Sequence, residues 1–134
     1  MRVIVGVVCA LLAASTASAH HSLSLFETGA PVTLKGVVKR VDWRSPHTLI
    51  FVETQEGGPA TEWRVETVPN SWLINRAGWT IDSVKPGEQV TVELYAYSDK
   101  TIKYGFLRRV IKADGKVWAS PLDIGRRGER EAAQ

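Results

Sequence analysis

The order of short alternating segments along the chain limits its fold more than any other feature. Turn residues separate five strand-like runs, which cover residues 31–43, 47–53, 61–67, 89–97 and 103–113. In the third run Trp63 and Val65 alternate with charged residues, as in an antiparallel strand with one exposed face. After the fifth run, Asp114-Gly115 predicts a hairpin into a short sixth strand at Val117. The chain is therefore predicted to be mainly β.

The first run changes its alternation part-way along. Val32 and Leu34 occupy even positions, whereas Val37 and Val41 occupy odd positions, and Gly36 lies at the switch. A slip of one residue at a glycine is typical of a β-bulge in a long, coiled strand. Such a strand suits a small closed barrel.

A short helix is predicted between the third and fourth runs. Asn70 or Ser71 is expected to cap its start, and Gly78 ends it. A helix at this point and a bulged first strand match the small Greek-key barrel of the oligonucleotide/oligosaccharide-binding (OB) type. We therefore predict an all-β fold with one short helix, a five- to six-stranded OB-like barrel. A small β-sandwich is the alternative.

The N-terminal segment has the order of a secretory signal peptide. Arg2 gives a positive start, about 12 apolar residues follow, and small residues lead to Ala19. The apolar run is shorter than the ~20 residues that span a bilayer, so a retained anchor is the weaker alternative. We expect cleavage after Ala19, a periplasmic or secreted protein, and no stable membrane insertion. Cleavage leaves 115 of the 134 residues and removes Cys9, the single cysteine, so disulfides and thiolate ligands are not expected.

Four parts are predicted, which are a signal peptide (1–19), an N-terminal arm (20–30), the barrel (31–122) and a disordered charged tail (123–134). The 17 basic and 14 acidic residues give a net charge of +3 and are interleaved through the chain. This pattern and the predicted export argue against a nucleic-acid partner. We expect a monomer.

Several motifs in combination resemble a known family. They are His20-His21-Ser22, Trp43-Arg44-Ser45-Pro46-His47, Arg76-Ala77-Gly78-Trp79, the segment 83–92 and Asp114-Gly115-Lys116. They are similar to a family of short secreted bacterial proteins described only as a domain of unknown function (family 6152). The resemblance implies export and one small β domain, and it implies no activity. Two departures are Ser45, where members usually have Asn, and the segment 95–100, which replaces a stretch rich in Pro and Gly.

The three histidines of the chain fall in two places, at His20 and His21 and at His47. Cleavage after Ala19 would free the α-amine of His20. An α-amine and an imidazole both offer lone pairs near neutral pH, and nitrogen ligands in tetragonal geometry favour Cu(II). The 11 residues from His20 to Ala30 extend up to ~36 Å, enough to reach back to His47. We predict copper binding by these three histidines. Zinc is a weaker alternative, and nickel remains open.

Other interpretations of these residues remain open. The histidine pair is also compatible with a tolerated cleavage junction, and His47 with a hydrogen bond in the first hairpin. Asp42, Ser45 and His47 have the residue types of a hydrolytic triad, but such close spacing rarely aligns them, so no enzyme activity is predicted. Glu66 alternates with core positions and is expected on an exposed face.

Five tryptophans are many for a chain of this length. Packing in the core is the simpler explanation for them. The alternative function is a small-molecule or glycan-binding module that uses an aromatic groove of Trp43, Trp63 and Trp79 and holds no metal.

Overall fold

The computed structural model describes residues 23–55 and 57–126. A 3-10 turn at Leu23–Leu25 precedes six strands and a helix, which are β1 (Val32–Asp42), β2 (His47–Thr54), β3 (Thr61–Pro69), α1 (Asn70–Ala77), β4 (Gln89–Ala96), β5 (Tyr104–Lys112) and β6 (Val117–Ala119). The predicted signal peptide, His20 and His21, and the tail beyond residue 126 lie outside the described residues. In the described ranges, no helix has the length and apolar character needed to cross a bilayer.

The strands form one sheet that closes into a barrel. Neighbouring strands follow the order β3-β2-β1-β4-β5-β6, and these pairings are all antiparallel. An additional parallel pairing of β3 with β5, from Arg64–Tyr104 to Glu66–Phe106, joins the two sides of the sheet. This closure and the helix between β3 and β4 confirm the OB-like barrel. The sandwich alternative is wrong, because the strands belong to one continuous sheet.

The phase change predicted in β1 is present, but its position was wrong. The pairing of β1 with β2 shifts by one residue between Val38 and Arg40, and Val38 is only 1% exposed. The extra residue is thus Lys39, whose side chain is exposed. Because the extra residue of the bulge is exposed, the apolar residues on either side of it stay in the buried row. Gly36 serves a different purpose, because a Cβ there would collide with the backbone carbonyl of Glu53 on β2.

Helix α1 ends as predicted but starts differently. Gly78 adopts a left-handed conformation with φ of 68°, and its N–H donates to the carbonyl of Ile74. Pro69 is the N-cap residue, and no side chain caps the helix. Asn70 instead accepts a hydrogen bond from Thr48 Oγ1 at 2.8 Å and donates one to the carbonyl of Arg44 at 2.9 Å. Partners from β2 and from the β1–β2 connection therefore replace the local cap.

The packed part of the chain continues past residue 122, where the barrel was predicted to end. Tyr95 donates a hydrogen bond to Asp123, Arg108 Nε lies 3.3 Å from the same carboxylate, and Ile124 is 2% exposed in the core. Burial alone would raise the pKa of Asp123, but the hydrogen bonds from Tyr95 and Arg108 outweigh it and lower that pKa. Burial and the contact with Asp123 raise the pKa of Tyr95 to about 12.

Candidate functional site

Three polar side chains from three strands meet at one end of the barrel. His47 begins β2, Tyr104 begins β5, and Glu66 lies on β3, which pairs with both strands. His47 Nδ1 is 2.7 Å from Glu66 Oε1, and the Tyr104 hydroxyl donates a hydrogen bond to Glu66 Oε2. The parallel pairing places Glu66 opposite Phe106, two residues from Tyr104. Closure of the barrel therefore creates this His47–Glu66–Tyr104 cluster.

The backbone on both sides of His47 is fixed by polar contacts. The Ser45-Pro46 peptide bond that leads to it is cis, and the Pro46 carbonyl accepts a hydrogen bond from the Asn70 N–H at 3.0 Å. The carbonyl of Thr48, the next residue, accepts a hydrogen bond from the buried Thr67 hydroxyl at 3.1 Å. These contacts limit the positions that the imidazole of His47 reaches.

The contact of His47 with Glu66 indicates which ring nitrogen is available for a ligand. Nδ1 is buried and lies beside the carboxylate without the alignment of a hydrogen bond. In metal sites a histidine typically contacts a carboxylate through one nitrogen and binds the metal through the other. The contact with Glu66 thus engages Nδ1 and leaves Nε2 as the ring nitrogen that does not face the carboxylate.

An apolar cavity of about 190 Å³ lies on one side of the cluster. Its walls include His47, Glu66, Tyr104 and three residues of the N-terminal arm, which are Leu23, Leu25 and Phe26. The first described residue of the arm is therefore at the same end of the barrel as His47. The copper hypothesis requires the N-terminal arm to lie at the end of the barrel that holds His47, and the position of Leu23 meets this requirement.

A second, more open cavity of about 390 Å³ also borders the cluster. It shares His47, Glu66 and Tyr104 with the first cavity and adds Arg44 and Arg64. The guanidinium carbon of Arg64 is 4.6 Å from the centre of the Tyr104 ring, a distance typical of a cation–π contact. The cluster thus borders one cavity with mainly apolar walls and one whose walls include two arginines.

The structure brings together only part of the predicted metal site. His47 lies in the cluster, whereas His20 and His21 are outside the described residues. Within residues 23–55 and 57–126, no group of three or more His, Cys, Asp or Glu side chains is arranged to hold a metal. His47 and Glu66 would therefore need a further ligand from elsewhere.

Glu66 is the site residue that sequence reasoning missed. The alternation along β3 predicted an exposed side chain, yet that side chain is only 24% exposed and contacts both His47 and Tyr104. No local pattern marks this role, because Tyr104 is brought to Glu66 by barrel closure. Asp42, Ser45 and His47, which have the residue types of a hydrolytic triad, do not form one, since Asp42 pairs with Arg40 and Arg44 and not with His47.

The three tryptophans proposed for an aromatic groove do not converge. Trp79 is 2% exposed, and its indole N–H donates to a backbone carbonyl 2.9 Å away. Trp63 pairs with Val52 of β2, whereas Trp43 follows the residue that pairs with Leu49. The two half-buried rings are therefore attached about 10 Å or more apart along β2. Neither of the two cavities beside the cluster is lined by any of the three.

Comparisons with known proteins give a family and little more. A family model described as a family of unknown function (DUF6152) matches residues 7–105, a range that includes all three histidines, Glu66 and Tyr104. Among solved structures, the mitochondrial single-stranded DNA-binding protein Rim1 of S. cerevisiae is similar with a TM-score of 0.44 and 13% identity, over 63% of this chain and 94% of that chain. The curated proteins contain no match. The barrel assignment rests on the strand pairing of this chain itself.

Proposed function

The chain belongs to the DUF6152 family, whose function is unknown, and we propose that it is an exported OB-barrel protein that binds Cu(II) through its mature N-terminus and His47. The observation that carries the proposal is the course of the arm. Leu23 lines the same cavity as His47 and Glu66. Three peptide units separate Leu23 from His20, which keeps the two Cα atoms within about 11 Å. Export is supported by the N-terminal sequence pattern alone.

The available donors suit Cu(II). After cleavage, the α-amine and imidazole of His20, the imidazole of His21 and Nε2 of His47 supply nitrogen ligands, which favour Cu(II) in tetragonal geometry. In the proposed site, Glu66, whose Oε1 is 2.7 Å from His47 Nδ1, is the carboxylate neighbour of a histidine that binds the metal through Nε2. The proposed site therefore combines His47 and its neighbour Glu66 with donors from the N-terminal residues.

The alternative of a metal-free ligand-binding module has less support. The tryptophans named for it lie apart, and Trp79 belongs to the core. The aromatic residues that do line a cavity next to His47 are Phe26, Tyr97, Tyr104 and Phe106. They pack against one another, with ring centres of Phe26 and Tyr104 5.7 Å apart.

Titration with Cu(II) of the exported, processed protein tests the proposal. Intact mass first establishes that His20 is the first residue. A version with one alanine added before His20 has the same fold but blocks the α-amine of that histidine. We expect the added residue and His47→Ala each to weaken Cu(II) binding at least tenfold and to change its electron paramagnetic resonance spectrum. Equal affinity of the extended and processed proteins would refute the proposal.

A further inference from the structure

A β-bulge places two consecutive arginines on the same side of β5. The pairing of β5 with β4 shifts between Glu93 and Leu94, so that Arg108 is the extra residue. Successive side chains of a regular strand point to opposite faces, whereas a bulge re-aims one of them. Here Arg108 Nη1 and Arg109 Nη2 donate to the two oxygens of the Glu93 carboxylate at 2.9 and 2.6 Å. Both guanidinium groups therefore lie on one side of the sheet.

The C-terminal segment packs beside this pair of arginines. Ser120 N–H donates to the carbonyl of Arg108 at 2.8 Å, and Asp123 accepts hydrogen bonds from Tyr95 and from Arg108 Nε. Gly125 lies in close contact with Tyr95, because a Cβ at this glycine would collide with the tyrosine hydroxyl. These contacts hold the segment against β4 and β5, and Arg126 follows directly after it.

A cavity of about 450 Å³ lies between β5 and this segment. Its volume is in the range of about 300–1,000 Å³ that is typical of small-molecule sites. The residues that line it include three arginines, one carboxylate and two larger apolar side chains, which are Arg108, Arg109, Arg126, Asp123, Pro121 and Leu122. None of them lines either cavity beside the His47–Glu66–Tyr104 cluster, so the two sites are separate.

Glu93 and Asp123 occupy only some of the donors that the arginines carry. A guanidinium has five N–H donors and accepts no hydrogen bond. Arg108 uses Nε and Nη1 for these carboxylates, and Arg109 uses Nη2. Within residues 23–55 and 57–126, Arg108 Nη2 and Arg109 Nη1 donate to no acceptor, and Arg126 has no carboxylate partner. The carboxylates thus fix the planes of two guanidinium groups and leave donors for a further oxyanion.

We propose that this cavity binds a small organic anion, a carboxylate or a phosphate monoester, through Arg108, Arg109 and Arg126. The planar guanidinium presents its donors in a fork that matches the oxygens of both groups. The three arginines exceed Glu93 and Asp123 by one positive charge, which the anion neutralises. The apolar walls contact the carbon body of the ligand. Bulges are frequent next to active sites, where they re-aim a side chain in this way.

Titration of the purified protein with phenyl phosphate and with benzoate, in the absence of metal, tests the proposal. Isothermal titration in a low-salt buffer without phosphate measures the affinity of each probe. The amide chemical shifts of residues 108–109 and 119–125 report where the probe binds.

Arg126→Gln removes a cation that has no carboxylate partner in the part of the chain that the structure describes. It should therefore leave the melting temperature unchanged and weaken binding about tenfold, which is the effect of losing one charge-assisted hydrogen bond. Arg76→Gln is the matched control, because Arg76 is an exposed arginine of α1 that stacks on Trp72 and does not line the cavity. It removes the same charge and should leave the affinity unchanged. Arg109→Lys keeps the charge but loses the fork, and it should also weaken binding.

Two results would overturn the inference. One is the absence of binding by both probes at millimolar concentration. The other is binding that Arg126→Gln and Arg76→Gln affect equally, since it would then reflect only the net charge of the chain. Binding of either probe that depends on Arg126 and shifts these amides supports the inference, and the tighter probe identifies the ionic group of the ligand. Copper binding at His47 is tested with other variants, so the two proposals are judged separately.

Discussion

Replacing Glu66 with glutamine removes the charge of the cluster and keeps the size of the side chain. Glu66 accepts the hydrogen bond of Tyr104 and lies 2.7 Å from His47 Nδ1. A hydrogen bond to a charged group contributes about 1.5–3 kcal/mol, against about 0.5–1.5 for a neutral one. We therefore expect Glu66→Gln to lower the free energy of unfolding by about 1 kcal/mol in the absence of metal.

The same substitution should weaken copper binding. Changing a group that orients a ligating histidine typically reduces metal affinity 10- to 100-fold, which corresponds to about 1.4–2.7 kcal/mol. Because the effect on binding passes through His47, the double variant Glu66→Gln with His47→Ala should bind no more weakly than His47→Ala alone.

Glu62→Gln is the matched control for this experiment. Glu62 lies on the same strand, four residues before Glu66, and its side chain is exposed. Urea denaturation measures stability, and competitive titration with Cu(II) measures affinity. The reasoning is refuted if the Glu66 and Glu62 variants are indistinguishable in both measurements, since the cluster would then contribute neither stability nor orientation.

Three further predictions concern the barrel that supports the site. Asn70→Ala should cost about 1–3 kcal/mol in urea denaturation, because two side-chain hydrogen bonds are lost, whereas Asn75→Ala on the exposed face of α1 should cost little. Gly36→Ala should lower the free energy of unfolding by about 1–3 kcal/mol, because the added methyl group overpacks against β2. Gly58→Ala is the control and should be near neutral, because a Cβ there meets no atom within 4 Å. Similar melting temperatures for the two variants would contradict the predicted clash. The pKa of Asp123 is lowered from 3.8 by folding, so its contribution to stability is present above that pH and is lost as the pH falls through the folded-state pKa; Asp123→Asn should weaken the acid dependence of the melting temperature, and an unaltered profile would contradict it.

Local patterns were sufficient for most of the fold. Alternation along the strands, a left-handed glycine at the end of α1 and the hairpin residues after β5 act through neighbours in sequence, and their positions agree with the structure. The bulge in β1 was predicted at Gly36, and the structure has it at Lys39. The change of alternation along β1 shows that its pairing shifts by one residue. The position of that shift depends on which side chains of β1 are buried against β2.

The site was accessible from the sequence only in part. The sequence drew attention to His47 because the chain has only three histidines. Glu66 looked like an ordinary exposed strand residue, and Asn70 looked like a helix cap. Their actual partners are residues distant in sequence, such as Tyr104 for Glu66 and Thr48 for Asn70.

The sequence by itself determined where the six strands and α1 fall along the chain, since each depends on residues close together in sequence. Only the tertiary structure decided that Glu66 contacts His47 and Tyr104 and that the arm packs Phe26 at the end of the barrel where His47 lies. The contact of Glu66 with Tyr104 depends on the parallel pairing of β3 with β5, which closes the sheet. Pairings between distant strands are set by the packing of the whole barrel, and alternation within one strand does not encode them.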